Sequence, residues 1–429
     1  MRKCVISSPL ATQSGYGHHA REVINNIIEQ RGNDWDIKLL SMPWGSTPLT
    51  FPLPDHMRTR VVPLPLQEQP DIWVQITIPN EFQPVGKFNI GITAVTEGDI
   101  CSKEWIEAIN RMQVIVVPSN FTKSVLTKTA EKHNIAITPE IHVISEYFNK
   151  DVYSKDNKQE SIDLSVIHEQ FCYLFVGHWL QGSLGEDRKN ISGLIHNFIE
   201  TFKNKDKAPG LILKTSSATY SVTDRTKMEK YINEIRDLFP KTAKLPNIYL
   251  LHGDLSDNEM NSLYNHSKVK AMVSYTKGEG FGRPLLEFAS TGKPIIAPHY
   301  SGQSDFLKKE HIVALAGGLT EVHPSARNQW IIEGSKWFTP DYAYSKRVLR
   351  EVHKHYNKFI PGAREQKKFV LKNFIKDAIA PSYTKLIELI ESRVSEGPSM
   401  QQLKLPQLNK PNLKTVDLPK LKLPKLQKA

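Results

Sequence analysis

Short aliphatic runs alternate along this chain with longer stretches in which apolar residues recur every three or four positions. Strands and helices are therefore expected in alternation. The first unit reads Val5-Ile6-Ser7-Ser8 as a strand, Ser14-Gly15-Tyr16-Gly17 as a turn, and Ala20, Val23, Ile24, Ile27 and Ile28 as one face of a helix. Further strands are predicted at Ile37–Leu40, Ile72–Ile76, Ile90–Val95 and Val114–Val117, with helical spacing in Trp105, Ile106, Ala108 and Ile109 and again after Ser119. Such alternation implies a parallel sheet with helices on both faces.

After Ile141–Ser145 the polar run 153–160 has no apolar period, and a domain boundary is placed there. The pattern then restarts with a strand at Tyr173–His178, a polar loop carrying Arg188-Lys189-Asn190, and a helix marked by Ile191, Leu194, Ile195, Phe198 and Ile199. Leu211–Lys214, Ile248–Leu251 and Val269–Ser274 are the next strands, and Ser256-Asp257-Asn258-Glu259 reads as a capped helix start. The expected organisation is a first α/β domain over 1–160, a second over 161–345, helices over 346–396 and a tail over 397–429. Leu-Pro-Lys units and prolines 406, 411, 419 and 424 rule out a continuous helix in that tail, so it is read as extended or disordered.

A length of 429 residues with 39% hydrophobic content suits two domains that each bury a core. No apolar run approaches the roughly 20 residues of a membrane-spanning helix. The start, Met1–Pro9, has too short an apolar run for a signal peptide and reads as a strand. Cys4, Cys101 and Cys172 lack metal-ligand spacing and are expected as reduced thiols, with the cytoplasm as compartment. Of the net charge of +11, residues 401–429 carry +6, seven lysines against Asp417, which leaves +5 for the rest. The body is thus only modestly basic, suited to an anionic ligand without demanding nucleic acid.

The segment Gly278-Glu279-Gly280-Phe281-Gly282-Arg283-Pro284-Leu285-Leu286-Glu287 concentrates the candidate chemistry. Its glycines permit a tight turn, Pro284 suits a first helical turn, and Leu285, Leu286, Phe288 and Ala289 supply a buried face before Gly292. Amides at such a helix start suit a phosphate, while Glu279 and Glu287 can accept hydrogen bonds from hydroxyls on either side of a diphosphate. Two glutamates eight apart are more often a solvated helix face. Here the glycines, the proline, the apolar helix and the following strand Lys293–Pro298 with Ser301-Gly302 all agree on a site.

This Glu-x7-Glu segment resembles the donor-binding motif of the group 1 retaining glycosyltransferases of GT-B fold. Val116–Phe121 and Thr96–Asp99 also resemble the first domain of that family, and the likeness spans most of residues 1 to 390, weakest over 41–70. The resemblance implies two Rossmann-like doubly wound domains facing across a cleft, with a C-terminal helix crossing back to the first. It implies transfer of a sugar from a nucleotide-diphosphate donor to an acceptor hydroxyl with retention, the donor's own phosphate taking the acceptor's proton.

By the same resemblance, Glu279 meets hydroxyls of the transferred sugar and Glu287 those of the ribose, while amides of Gly280, Phe281 and Gly282 touch sugar or phosphate. Arg188 and Lys189 stabilise the leaving diphosphate, with Lys214 as a weaker candidate, and His252, Gly253 and Asp254 lie beside the base. The loop of Gly15 and Gly17 either lines the cleft or is a simple strand–helix connection. Two positions depart from the family pattern. Gln75 and Thr77 stand where many relatives place a histidine, and His178 stands where many have arginine. His18 and His19 either approach the cleft or sit at the surface of a helix start.

No His/Cys cluster of ligand spacing is present, so no metal and no other cofactor is expected. The implied acceptor is a glycan or lipid-linked glycan. The basic tail leaves open an anionic partner, including DNA with hydroxylated bases as in bacteriophage glucosylation. A non-catalytic binding protein of the same fold and a nucleotide-sugar epimerase are the readings from other classes.

Overall fold

The computed structural model describes residues 1–64, 66–94, 98–217 and 219–395. Thr96 and Glu97 of the first-domain likeness, the end of the predicted strand at Val95, and the tail 397–429 lie outside them. A first sheet is built from β1 (Arg2–Ser8), β2 (Trp35–Ser41), β3 (Ile72–Ile76), β4 (Phe88–Ile92), β5 (Val114–Val117) and β6 (Glu140–Val143), in the order β2-β1-β3-β4-β5-β6. A second contains β7 (Cys172–Val176), β8 (Gly210–Lys214), β9 (Ile248–Leu251), β10 (Val269–Val273), β11 (Ile295–Pro298) and β12 (Val313–Leu315), in the order β12-β11-β10-β7-β8-β9. All pairings within both sheets are parallel.

The aliphatic runs of the central strands are buried on both faces, as parallel strands between helices require. Every residue of Val114–Val117 is buried, and so are the first four of Cys172–Val176. On one face of the first sheet, Ala20, Val23, Ile24 and Ile27 of the helix Gly15–Arg31 share a core with Ile379, Tyr383, Leu386, Ile387 and Ile390 of the C-terminal helix Lys376–Ser395. That last helix therefore crosses back to the beginning of the chain, fixed by the Arg31 guanidinium donating to Glu391 at 2.8 Å. The helices Lys103–Ile109 and Asn120–His133 cover the opposite face.

A hairpin of β13 (Gly317–Glu321) and β14 (Lys336–Pro340) stands apart from both sheets, closed over Val322, Ala326, Ile331 and Trp337. It extends to the first half of the molecule, where Lys336 donates its amide to Asp99 at 2.6 Å and Trp330 packs against Trp105. Among the described residues no helix is long and apolar enough to cross a membrane. The three cysteines are buried free thiols.

In each sheet the strand order reverses once, between β1 and β3 and between β7 and β10. Ligands of open parallel sheets bind beyond the carboxyl ends of the strands at such a reversal. The loop after β7 carries Arg188 and Lys189, and the one after β10 carries Glu279.

Candidate functional site

Local sequence sets the basic pair before any long-range contact does. Asp187 is fully buried and accepts from the amide of Ile191 at 2.8 Å and from the Ser192 hydroxyl, capping the helix Ile191–Phe202. Asn190 closes the turn in the left-handed region at φ 53°, a conformation asparagine tolerates better than most residues. Arg188 and Lys189 thus project from a rigid turn. The Arg188 carbonyl then accepts the Lys277 amide at 2.9 Å, joining that turn to the segment after β10.

Across this junction the Lys189 ammonium donates to both oxygens of Glu279, at 2.5 and 2.7 Å. Arg188 Nη1 lies 3.5 Å from Glu279 Oε2 and donates to the Gly278 carbonyl at 3.4 Å. Thr276 Oγ1 donates to Glu279 Oε1 at 2.7 Å, and the Glu279 amide donates to Ser301 Oγ at 2.9 Å. Burial pushes the Glu279 carboxyl up, yet the charges of Lys189 and then Arg188 outweigh it and hold the group below its ordinary value. An ionised carboxylate is therefore fixed at the sheet reversal with two cations beside it.

Beyond Glu279 the chain turns through Gly280 and Gly282, the latter at φ 102°, into the helix Arg283–Ala289 with Pro284 in its first turn. Gly302 is needed here because a Cβ on it would lie 2.1 Å from the Gly280 carbonyl oxygen. Among the described residues no protein group accepts from the amides of Gly280, Phe281 and Gly282. The Gly280 carbonyl points the other way, accepting from Ser119 Oγ at 2.6 Å and Thr122 Oγ1 at 3.3 Å. Ser119 caps the helix Asn120–His133, and the adjacent Asn120 amide donates to Asp305 at 2.8 Å. The Val116–Phe121 segment thus docks the first half of the molecule onto the glycine turn.

Glu287 is buried, accepting from Arg283 Nε at 2.8 Å and from the Tyr264 hydroxyl at 3.2 Å. Burial raises its pKa to about 7, against the pull of Arg283. Arg283 also pairs with Glu22 of the first helix and lies 3.5 Å from Glu146, so it spans the two halves. Sequence reading passed over Arg283, Glu22 and Glu146. Only the four-residue spacing of Arg283 and Glu287 on one helix face gave a signal.

Lys214, at the end of β8, donates to the Gly253 carbonyl at 2.6 Å and stands 5.5 Å from the Tyr220 ring. Burial lowers its pKa to about 8 and raises that of Asp254. Gly253 takes φ 129°, and its neighbour His252 meets Asp224 at 2.9 Å. His178, near Ser216 at 3.3 Å, is driven down to about 4 by burial and then by Lys189, Lys214 and Arg188, so the basic residues of two loops converge on a neutral imidazole. On the first helix, Ser14 accepts from the Gly17 amide at 3.0 Å, and a Cβ on Gly17 would lie 2.2 Å from the Thr12 carbonyl. Gly17 is thus accounted for by packing and capping, whereas Gly15 has open space around it. Gln75 and Thr77 turn to their own loop, bonding Glu81. His19 is buried, and burial followed by Arg283 and Arg21 drives the imidazole of His18 well below its ordinary pKa.

Residues 226–328, which include Gly253, Glu279, Arg283 and Glu287, match the family model of the glycosyl transferases group 1. No curated protein matches the chain by sequence. Solved structures match by fold. Sucrose-phosphate synthase from Thermosynechococcus elongatus has a TM-score of 0.59 at 12% identity, covering 92% of this chain and 100% of its own. Anabaena HepE in complex with UDP has a TM-score of 0.58 at 12% identity, covering 91% and 100%. A glycosyltransferase from Rickettsia africae has a TM-score of 0.59 at 11% identity, covering 91% and 98%. The architecture is that of the GT-B glycosyltransferases, and with the family match it supports glycosyl transfer as the class of activity.

Proposed function

We propose that the protein moves a sugar from a nucleoside-diphosphate sugar to the hydroxyl of a glycan or lipid-linked glycan, with retention of configuration. The observation that carries this reading is Glu279 held ionised by Lys189 and Arg188, next to a turn whose amides find no acceptor among the described residues. As the bond from the anomeric carbon to the diphosphate breaks, negative charge accumulates on the leaving oxygen. Lys189, Arg188 and the Gly280–Gly282 amides stabilise that charge without reorganising. The acceptor oxygen bonds to the same face of that carbon, and its proton passes to the departing phosphate oxygen. No protein nucleophile takes part.

In this scheme Lys189 is shared between Glu279 and the phosphate, which frees carboxylate lone pairs for hydroxyls of the transferred sugar. Glu287 and Arg283 border the ribose, and Lys214, His252, Gly253 and Asp254 border the base. Because the Anabaena neighbour was solved with UDP and with UDP-glucose, UDP-glucose is the first donor to test. Turnover of a panel of nucleotide sugars is measured with glycan, lipid-linked glycan and hydroxymethylated DNA as acceptors. Release of nucleotide that requires a glycan acceptor and is lost in Lys189→Ala supports the reading. Donor binding without turnover on any acceptor would leave a binding protein instead.

A further inference from the structure

Behind Arg283, one buried group of side chains is short of partners. His19 and Glu22 lie one turn apart on the first helix, and Glu146 reaches the same point from the segment after β6. The three offer ligand atoms within 4.8 Å of one another, and each residue is more than nine-tenths buried. Among the described residues, both ring nitrogens of His19 lack a hydrogen-bond partner, and Oε2 of Glu146 has only the Arg283 guanidinium, 3.5 Å away. Glu22 gives Oε1 to Arg283, and its Oε2, which accepts the Tyr147 amide at 3.4 Å, lies 3.9 Å from His19 Nδ1. Buried polar atoms are nearly always satisfied, and an imidazole with neither nitrogen bonded, beside two carboxyl groups, marks a missing partner.

The charge count agrees. Glu22, Glu146 and Glu287 present three buried carboxyl groups to the one guanidinium of Arg283. Arg21 and Asp257, the next charges acting on this group, offset each other. An excess of buried negative charge is costly unless a cation completes it. We propose that His19, Glu22 and Glu146 bind one divalent transition-metal ion, zinc or manganese, at the junction of the two halves.

An imidazole nitrogen with two carboxylates selects such ions over magnesium or calcium, which take oxygen-only sets. Metal–ligand bonds of about 2.0–2.2 Å span about 4.4 Å between opposite ligands, so small side-chain rotations close the site. The ion has a structural task, joining the first helix to the chain segment that leaves the first sheet. It takes no part in the sugar transfer proposed above, and the test is independent of that reaction.

The full-length chain is stripped with a chelator, re-equilibrated with zinc, manganese, magnesium or calcium chloride, and passed through gel filtration before elemental analysis and thermal unfolding. One retained equivalent of zinc or manganese is expected, with a rise in Tm of roughly 3–8 °C at saturation, and no response to magnesium or calcium. His19→Gln and Glu146→Gln should lose both effects. Cobalt(II) should give a visible ligand-field spectrum in the unmodified chain and none in His19→Gln, a readout that does not depend on variant stability. Absence of retained metal, or equal uptake by the two variants and the parent chain, overturns the assignment and leaves a proton-sharing cluster in its place.

Discussion

Lys189 and Glu279 are ninety residues apart in the chain, yet one ammonium bonds both oxygens of one carboxylate. The pair closes the gap between the loops that follow β7 and β10, where the second sheet reverses its strand order. Removing either partner leaves the other buried beside a remaining charge, so energetics and chemistry are tied to the same contact.

Lys189→Ala is expected to lower kcat by about 10²–10³-fold with a smaller change in KM, since the ammonium matters most as the leaving group gains charge. The variant should also lose about 2–4 kcal/mol of stability, because Glu279 loses its nearest cation and keeps Arg188 at 3.5 Å and the Thr276 hydroxyl. Steady-state kinetics and denaturant titration check the two parts separately. A kcat within threefold of the parent would remove Lys189 from the leaving-group role.

Glu279 gives stability a definite pH dependence. Its folded pKa is depressed below the ordinary 4.5, so its contribution is complete above that value and is lost as pH falls through the folded pKa. Glu279→Gln should therefore unfold with a shallower loss of Tm between pH 5 and pH 3 than the parent chain. Parallel acid limbs in calorimetry contradict this.

Lys214 acts in the opposite range. With a folded pKa of about 8 against the ordinary 10.5, the folded state releases its proton first, so this residue's burial penalty fades and stability rises between those values. If the ammonium faces the nucleotide, UDP-sugar affinity falls over the same interval. Lys214→Arg should hold affinity constant to pH 10 in calorimetric titration, and an unaltered pH profile separates Lys214 from the donor.

Arg283→Ala leaves Glu22, Glu146 and Glu287 without their guanidinium, and a loss of about 3–5 kcal/mol is expected. Arg283→Lys should recover less than half of it, because an ammonium lacks the planar fork that reaches three carboxylates. Full recovery by lysine in chemical denaturation would show that the charge alone matters.

Much of the fold was legible because parallel strands buried on both faces must be uninterrupted aliphatic runs. Ile72–Ile76, Val114–Val117 and Ile248–Leu251 were bounded as they stand in the structure. The Ser256–Glu259 capping box was legible for a similar reason, since it is a local bond pattern. The hairpin was not, because all of Gly317–Glu321 is exposed and carries no apolar alternation. Of the site, the two loops that meet could be named, since each is a compact run of chemically distinctive residues. The bond from Arg283 to Glu22 joins positions 261 apart and leaves no periodic trace in either helix. Likewise nothing in the neighbours of Ser119, which caps the helix after it, discloses that it also holds the Gly280 carbonyl.

The Gly280 carbonyl is held by Ser119 of the first half, and the Phe281 amide in the same peptide plane has no protein acceptor among the described residues. A peptide plane cannot tilt at one edge without tilting at the other. Any swing of one lobe against its neighbour thus also turns that amide. Lobe angle and the aim of the glycine turn then become a single mechanical coordinate.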